Sequence, residues 1–156
     1  MKASVSDQRS ILDIQKFDLQ SATLRNKAAT LPELAELSST TIKQNNVRDL
    51  RIAAETELND VKRELARAEG DVEQIVTRIE RDEKRLASGT GTPKELEQTQ
   101  HELGTLGARR AELEEVELEI MMRVDGIKER ITVLLGEENE LAAVIADLNI
   151  RKENAL

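Results

Sequence analysis

The 156-residue chain has no Cys, no Trp and no Tyr, one Phe (Phe17), two Pro and a single His, His101. Without Cys there is neither a disulfide framework nor a thiolate metal site, and a cytoplasmic location fits by default. Aromatic content of 1% removes the bulky side chains that usually fill a thick globular core. No apolar run approaches about 18 residues, so no membrane span is expected, and the stretch Met1–Asp7 leads into no apolar signal segment. Nucleophilic catalysis needs a nucleophile, a base and an orienting group converging in a concave site. One His and carboxylates scattered along helix faces do not supply these, so the chain reads as no enzyme, with no cofactor and no metal of its own. Gly89-Thr90-Gly91 lacks the Lys-Ser/Thr of a phosphate-binding loop and follows a helical pattern.

What is present is charge and aliphatic carbon. Charged residues make up 35% of the chain and hydrophobic residues 38%, nearly all Leu, Ile, Val and Ala. Such a composition points to long helices or a coiled coil. The formal net charge of −8 is unevenly spread: the first 30 residues are mildly basic, and the acidic excess is concentrated after residue 86. The densest single-sign cluster is Glu112, Glu114, Glu115, Glu117 and Glu119. A duplex-binding domain normally carries a basic stripe, and none is evident. A local basic edge, Arg78, Arg81, Lys84 and Arg85, is interleaved with Glu80, Asp82 and Glu83.

Apolar residues recur at alternating spacings of three and four, the signature of a helix burying one narrow seam. One run is Leu58, Val61, Leu65, Ala68, Val72, Ile75, Ile79 and Leu86, with Asp82 intruding. A second is Leu96, Thr99, Leu103, Leu106, Arg110, Leu113, Glu117, Ile120, Val124, Ile127, Ile131, Leu134, Glu138, Leu141, Ile145 and Leu148. Between them, Ser88-Gly89 suits a left-handed helix end, and Thr92-Pro93-Lys94-Glu95 supplies a capping box with Pro in the first turn. So short a loop, residues 87–92, turns the second helix back antiparallel to the first. The predicted fold is all-α: a long antiparallel coiled-coil hairpin over residues 31–156, preceded by a kinked or separate N-terminal helix over 1–30. Thr30-Leu31-Pro32-Glu33 marks that junction with another capping-box pattern, and the N-terminal helix has its own stripe of Ile14, Phe17, Ser21, Leu24, Ala28 and Leu31.

Pairing Leu86 with Leu96 at the tip sets a register in which facing residue numbers sum to about 182. The polar run Ser38–Asn46 then meets Gly136–Glu140, and a loosened or bent zone is expected where the seam lacks apolar residues. Gly104 and Gly107 suggest close helix approach near the tip, and Met121-Met122 suggests adaptable packing, with a docking patch as the alternative in each case.

The tip sequence Arg85-Leu86-Ala87-Ser88-Gly89, Thr92-Pro93-Lys94-Glu95-Leu96 and Gln100-His101-Glu102 resembles the turn of a bacterial coiled-coil zinc-ribbon (C4-type) family, in particular its actinobacterial members. Leu31-Pro32-Glu33-Leu34, Leu113-Glu114-Glu115 and Leu118-Glu119 also fit that pattern, while Thr99 stands where the family usually has Leu. The resemblance implies a helical hairpin followed by a ribbon whose two Cys pairs hold zinc. It also implies a role in regulation, through protein partners or nucleic acid. No such Cys pair occurs in this chain, so zinc and ribbon-borne nucleic-acid binding do not transfer to its residues. The expected function is a non-catalytic scaffold or adaptor that binds protein partners, with a nucleic-acid-binding regulator as the alternative. The candidate partner-binding tip is Arg81, Lys84, Arg85, Pro93 and Lys94. The candidate N-terminal interface is Ile14, Phe17 and Leu24, whose stripe has no counterpart in the second arm of the hairpin. It could be covered by a family-like continuation of that arm, by a fold-back at Leu31-Pro32, or by a second copy of the chain. Charged outer faces of the arms favour the last.

Overall fold

The computed structural model describes residues 4–30 and 32–155, with the side chains of 28–30 outside the described set. It consists of three helices, α1 (Val5–Thr30), α2 (Pro32–Ser88) and α3 (Pro93–Ala155), and no strand occurs among the described residues. The predicted junction box at Thr30-Leu31-Pro32-Glu33 falls largely outside those residues.

Helix ends follow local chemistry. At the start of α1 the Asp7 amide donates to Ser4 Oγ (3.1 Å), and the Ser4 amide donates to Asp7 Oδ2 (3.3 Å). This reciprocal cap satisfies donors that the first turn leaves orphaned. The α2–α3 turn forms as the sequence predicts. Gly89 adopts φ 64° and donates its amide to the Leu86 carbonyl (3.2 Å), then the Thr92 and Glu95 amides are capped by Glu95 Oε2 and Thr92 Oγ1, each at 3.2 Å. Gly91, at φ 122°, sits so close that a Cβ there would lie 2.8 Å from the capping Glu95 Oε2. Only Gly fits both the backbone angle and the cap.

The described chain divides into two compact units, Leu50–Leu134 and Met1–Asp49 with Leu135–Leu156. In the first unit, the predicted seam positions are the ones withdrawn from solvent. Val61, Ala68, Ile120, Val124 and Ile127 form one buried cluster, with Leu58, Leu65 and Ile131 packed against it. Polar seam positions are inward too: Asp82 and Thr99 are buried, and Arg110 and Glu117 are half-buried.

Within this unit, ion pairs that join α2 to α3 include Arg78–Glu102 (2.8 Å), Arg123–Glu64 (2.9 Å) and Arg130–Glu57. All six residues immediately precede an a position (Leu58, Leu65, Ile79, Leu103, Val124 or Ile131), so each pair joins two g positions of the heptad. This corrects the expected register. Pairing Leu86 with Leu96 sets a against a, which would place Leu65 opposite Glu117 and Val61 opposite Met121. Antiparallel helices instead interleave a with d, which brings Val61 level with Val124 and Leu65 level with Ile120, all in or packed against the buried cluster. The shift is three residues.

In the second unit, Thr40 and Leu148 are buried, and Leu34, Leu37, Gln44, Val47, Leu141 and Ile145 are half-buried. Helix α2 runs unbroken through Ser38–Asn46 and α3 through Gly136–Glu140, so the polar run does not interrupt either helix. Its seam position Thr40 is buried rather than solvated, while its hydroxyl neighbour Thr41 bonds back to the Leu37 carbonyl (2.7 Å). In α1, every described side chain is exposed.

Candidate interaction sites

At the hairpin tip, α2 carries Arg78, Arg81, Asp82 and Arg85 along successive turns, and α3 brings Glu102 alongside. Arg81, Asp82, Arg85 and Glu102 line a shallow cleft. Asp82 is 6% exposed, and its Oδ2 has no hydrogen-bond partner. Thr99, the nearest buried hydroxyl in the seam sequence, does not relieve it, because its Oγ1 bonds to the Glu95 carbonyl (3.0 Å). An unpaired buried carboxylate costs stability. The cleft therefore combines an unmet acceptor with two guanidinium-bearing side chains.

Of the five tip residues expected from the sequence, Arg81 and Arg85 meet at this cleft. Lys84, Pro93 and Lys94 are exposed and are not among its lining. Asp82, one of the acids interleaved with the basic edge, and Glu102, which α3 brings alongside, also line the site. Asp82 was visible as the one acidic intrusion in an apolar run. Arg78 is drawn out of the basic edge by its pairing with Glu102.

A second surface lies on the outer side of α3. Leu118, Met121 and Met122 are 57%, 43% and 66% exposed, so Met121-Met122 does not pack inward as its apolar setting suggests. Spacings of three and four residues put Leu118 beside both Met side chains. Thioethers adapt to varied apolar partners. Gly104 and Gly107 also depart from expectation: a Cβ at either would meet nothing within 4 Å, so neither permits a close helix approach. His101 is exposed. Within the glutamate-rich segment, Glu112 and Glu114 are paired with Arg109 and Arg110 on the same helix, and Glu117 turns toward the seam.

The third surface is α1. Ile14, Phe17 and Leu24 are 59%, 69% and 56% exposed, and the flanking Leu12 and Leu19 are equally uncovered. Among the described residues no group of three His, Asp or Glu side chains is placed to hold a metal ion, and no helix is long and apolar enough to cross a membrane.

Residues 14–156 match the family model described as the CT398-like coiled coil hairpin domain. An uncharacterized protein of Mycobacterium tuberculosis strain H37Rv is 34% identical over 152 residues, covering 95% of this chain. An uncharacterized protein of Mycobacterium leprae is 26% identical over 123 residues, covering 79% of this chain and 53% of that protein. A solved structure from Mycobacterium smegmatis superposes with a TM-score of 0.84 at 29% identity, covering all of this chain and 64% of that one. The chain spans 59% of the length of its M. tuberculosis relative.

Proposed function

The chain belongs to the CT398-like coiled coil hairpin domain family, and from that premise we propose that it is a non-catalytic scaffold that acts through contacts with other proteins. The observation that carries this reading is where its unmet binding capacity lies. Apolar side chains at Leu118, Met121 and Met122 sit on the outer face of α3, and at the tip the exposed Arg81 and Arg85 line a cleft over the buried Asp82. Such surfaces suit a partner helix or loop better than a small substrate, which needs a concave pocket that buries most of its area. The reading includes a cytoplasmic site of action and no cofactor in this chain. Zinc would enter through a Cys-bearing ribbon of the kind the resembling family carries, outside these residues.

A second reading, a regulator that contacts nucleic acid, is favoured by the Arg81 and Arg85 pair at the tip. The net charge of −8 opposes it for this chain, since duplex affinity rests largely on phosphate neutralisation by Lys and Arg. Fluorescence anisotropy with single-stranded RNA and duplex DNA across a salt series separates the two. The scaffold reading expects no saturable binding at physiological salt. Tight binding that falls steeply with salt would overturn it in favour of the second.

A further inference from the structure

Helix α1 presents an apolar stripe with no cover, and its charges are arranged as those of a helix meeting a second copy of itself. The stripe Ile14, Phe17, Ser21 and Leu24 keeps the three-and-four spacing of a seam, with Ile14 and Ser21 at a and Phe17 and Leu24 at d. The stripe is offset from the α2 heptad, where Leu37 and Gln44 hold the a positions, so α1 does not extend the α2 seam. Phe17 is 69% exposed, Ile14 59% and Leu24 56%, values foreign to seam residues elsewhere in this chain.

The orientation of the partner follows from charge. In α2 and α3 the ion pairs Arg78–Glu102, Arg123–Glu64 and Arg130–Glu57 each join g to g, a pairing that antiparallel helices make. Applied to two antiparallel α1 helices centred near Leu19, the same interleaving sets Ile14 level with Leu24 of the other copy and the bulky Phe17 level with the small Ser21. It sets g-position Asp13 against Lys27, in the same relation to its layer as Glu64 has to Arg123. On the other edge the e position Asp18 lies nearest Asp18 of the other copy, one like-charge contact at the two-fold axis. Arg25 of that copy stands to Asp18 in the longer offset that Glu102 has to Arg78. The Asp13–Lys27 and Asp18–Arg25 relations each occur twice in a two-fold dimer, and the Asp18–Asp18 contact once. A parallel pair would instead bring g to e, and so Asp13 against Asp18, a like-charge contact. Asp13, Asp18 and Arg25 have no ion-pair partner among the described residues.

We propose that α1 is a homodimerisation helix that pairs antiparallel with α1 of a second copy, using Ile14, Phe17 and Leu24 as the seam and Asp13–Lys27 as the orienting charge pair. The proposal stands apart from the scaffold reading, because self-association says nothing of which other protein the tip or the outer face of α3 binds.

Sedimentation velocity of the full chain over a concentration series at low salt tests it, with circular dichroism to establish that each variant remains helical. The wild-type chain is expected to show a monomer–dimer equilibrium. Asp13→Lys is expected to weaken association by about tenfold or more, and Asp13→Lys with Lys27→Asp to restore it. Phe17→Asp is expected to abolish it. In a parallel dimer Asp13→Lys would instead tighten association, and that result overturns the proposal. Association unchanged by both Asp13→Lys and Phe17→Asp overturns it as well, by placing the contact elsewhere. So does a wild-type chain that stays monomeric with α1 amides protected from exchange, which would mean that its own chain covers the stripe. A chain monomeric at every concentration with α1 unprotected also overturns it.

Discussion

Asp82→Leu should stabilise the hairpin. Asp82 occupies a d position in the α2 seam, flanked along the helix by Ile79 and Leu86, and is withdrawn from water with Oδ2 unpartnered. Leaving a buried polar group unsatisfied costs about 1–3 kcal/mol, and burying a Leu side chain in its place contributes about 1.5–3 kcal/mol. Leu is longer than Asp, and the accommodation of its extra volume subtracts about 1 kcal/mol or more. The net gain is about 2–4 kcal/mol, which for a chain of this size raises Tm by about 4–16 °C. Asp82→Asn keeps the shape and removes the charge but leaves a polar amide in the same place, so its gain should stay within about 1 kcal/mol. Thermal melts by circular dichroism at neutral pH rank the three proteins. If Asp82→Leu melted below the wild type, the carboxylate would have a strong partner in solution and the tip cleft would be a structural feature rather than an unmet acceptor. A stabilised Leu variant that lost a binding activity would mark the Asp as retained for that activity at the expense of stability.

Val61, 2% exposed at the centre of the buried cluster, should not tolerate charge: Val61→Asp is expected to cost more than about 3 kcal/mol in denaturant unfolding, by burying an unpaired carboxylate. Glu112→Ala removes only an exposed pair with Arg109 and should change stability by less than about 1 kcal/mol. Glycines divide by environment. Gly104→Ala, in open space within α3, should stabilise by up to about 1 kcal/mol, whereas Gly91→Ala should destabilise through its φ of 122° and the displaced Glu95 cap. Equal effects in the two would contradict the described turn.

The hairpin was legible because a coiled coil writes its packing into residue spacing. Even seam positions held by Thr99, Arg110 and Glu117 could be placed by counting alone: Thr99 is buried, and Arg110 and Glu117 are half-buried. The turn was legible because Gly89, Thr92, Pro93 and Glu95 each have one backbone role that suits them. Register was less so. A contact guess at the tip pairs the nearest Leu side chains, whereas the true offset comes from how a and d layers interleave, and it shows only in ion pairs such as Arg123–Glu64. The Ser4–Asp7 cap was readable as a Ser three residues before an acid but was overshadowed by the apolar pattern that follows. Outward-facing residues carried the least information. Neither Met121-Met122 nor Gly104 and Gly107 could be assigned to packing or to solvent from spacing, because the helix face opposite a seam has no partner to constrain it. The tip cleft was half visible: Arg81 and Arg85 stood out by charge, but Glu102 joins them only through the antiparallel return of α3.

The interleaved antiparallel register of α2 and α3 sets which residues meet at the tip and which lie on the outer faces. The chain contains no Cys, so engineered pairs report without background. Oxidation of Val61→Cys with Val124→Cys should give an intramolecular disulfide in a monomeric fraction at dilute concentration, while Val61→Cys with Met121→Cys should not, since disulfides demand close and convergent Cβ atoms. Efficient closure of the Val61–Met121 pair, with none for Val61–Val124, would contradict the register and the interface assignments built on it.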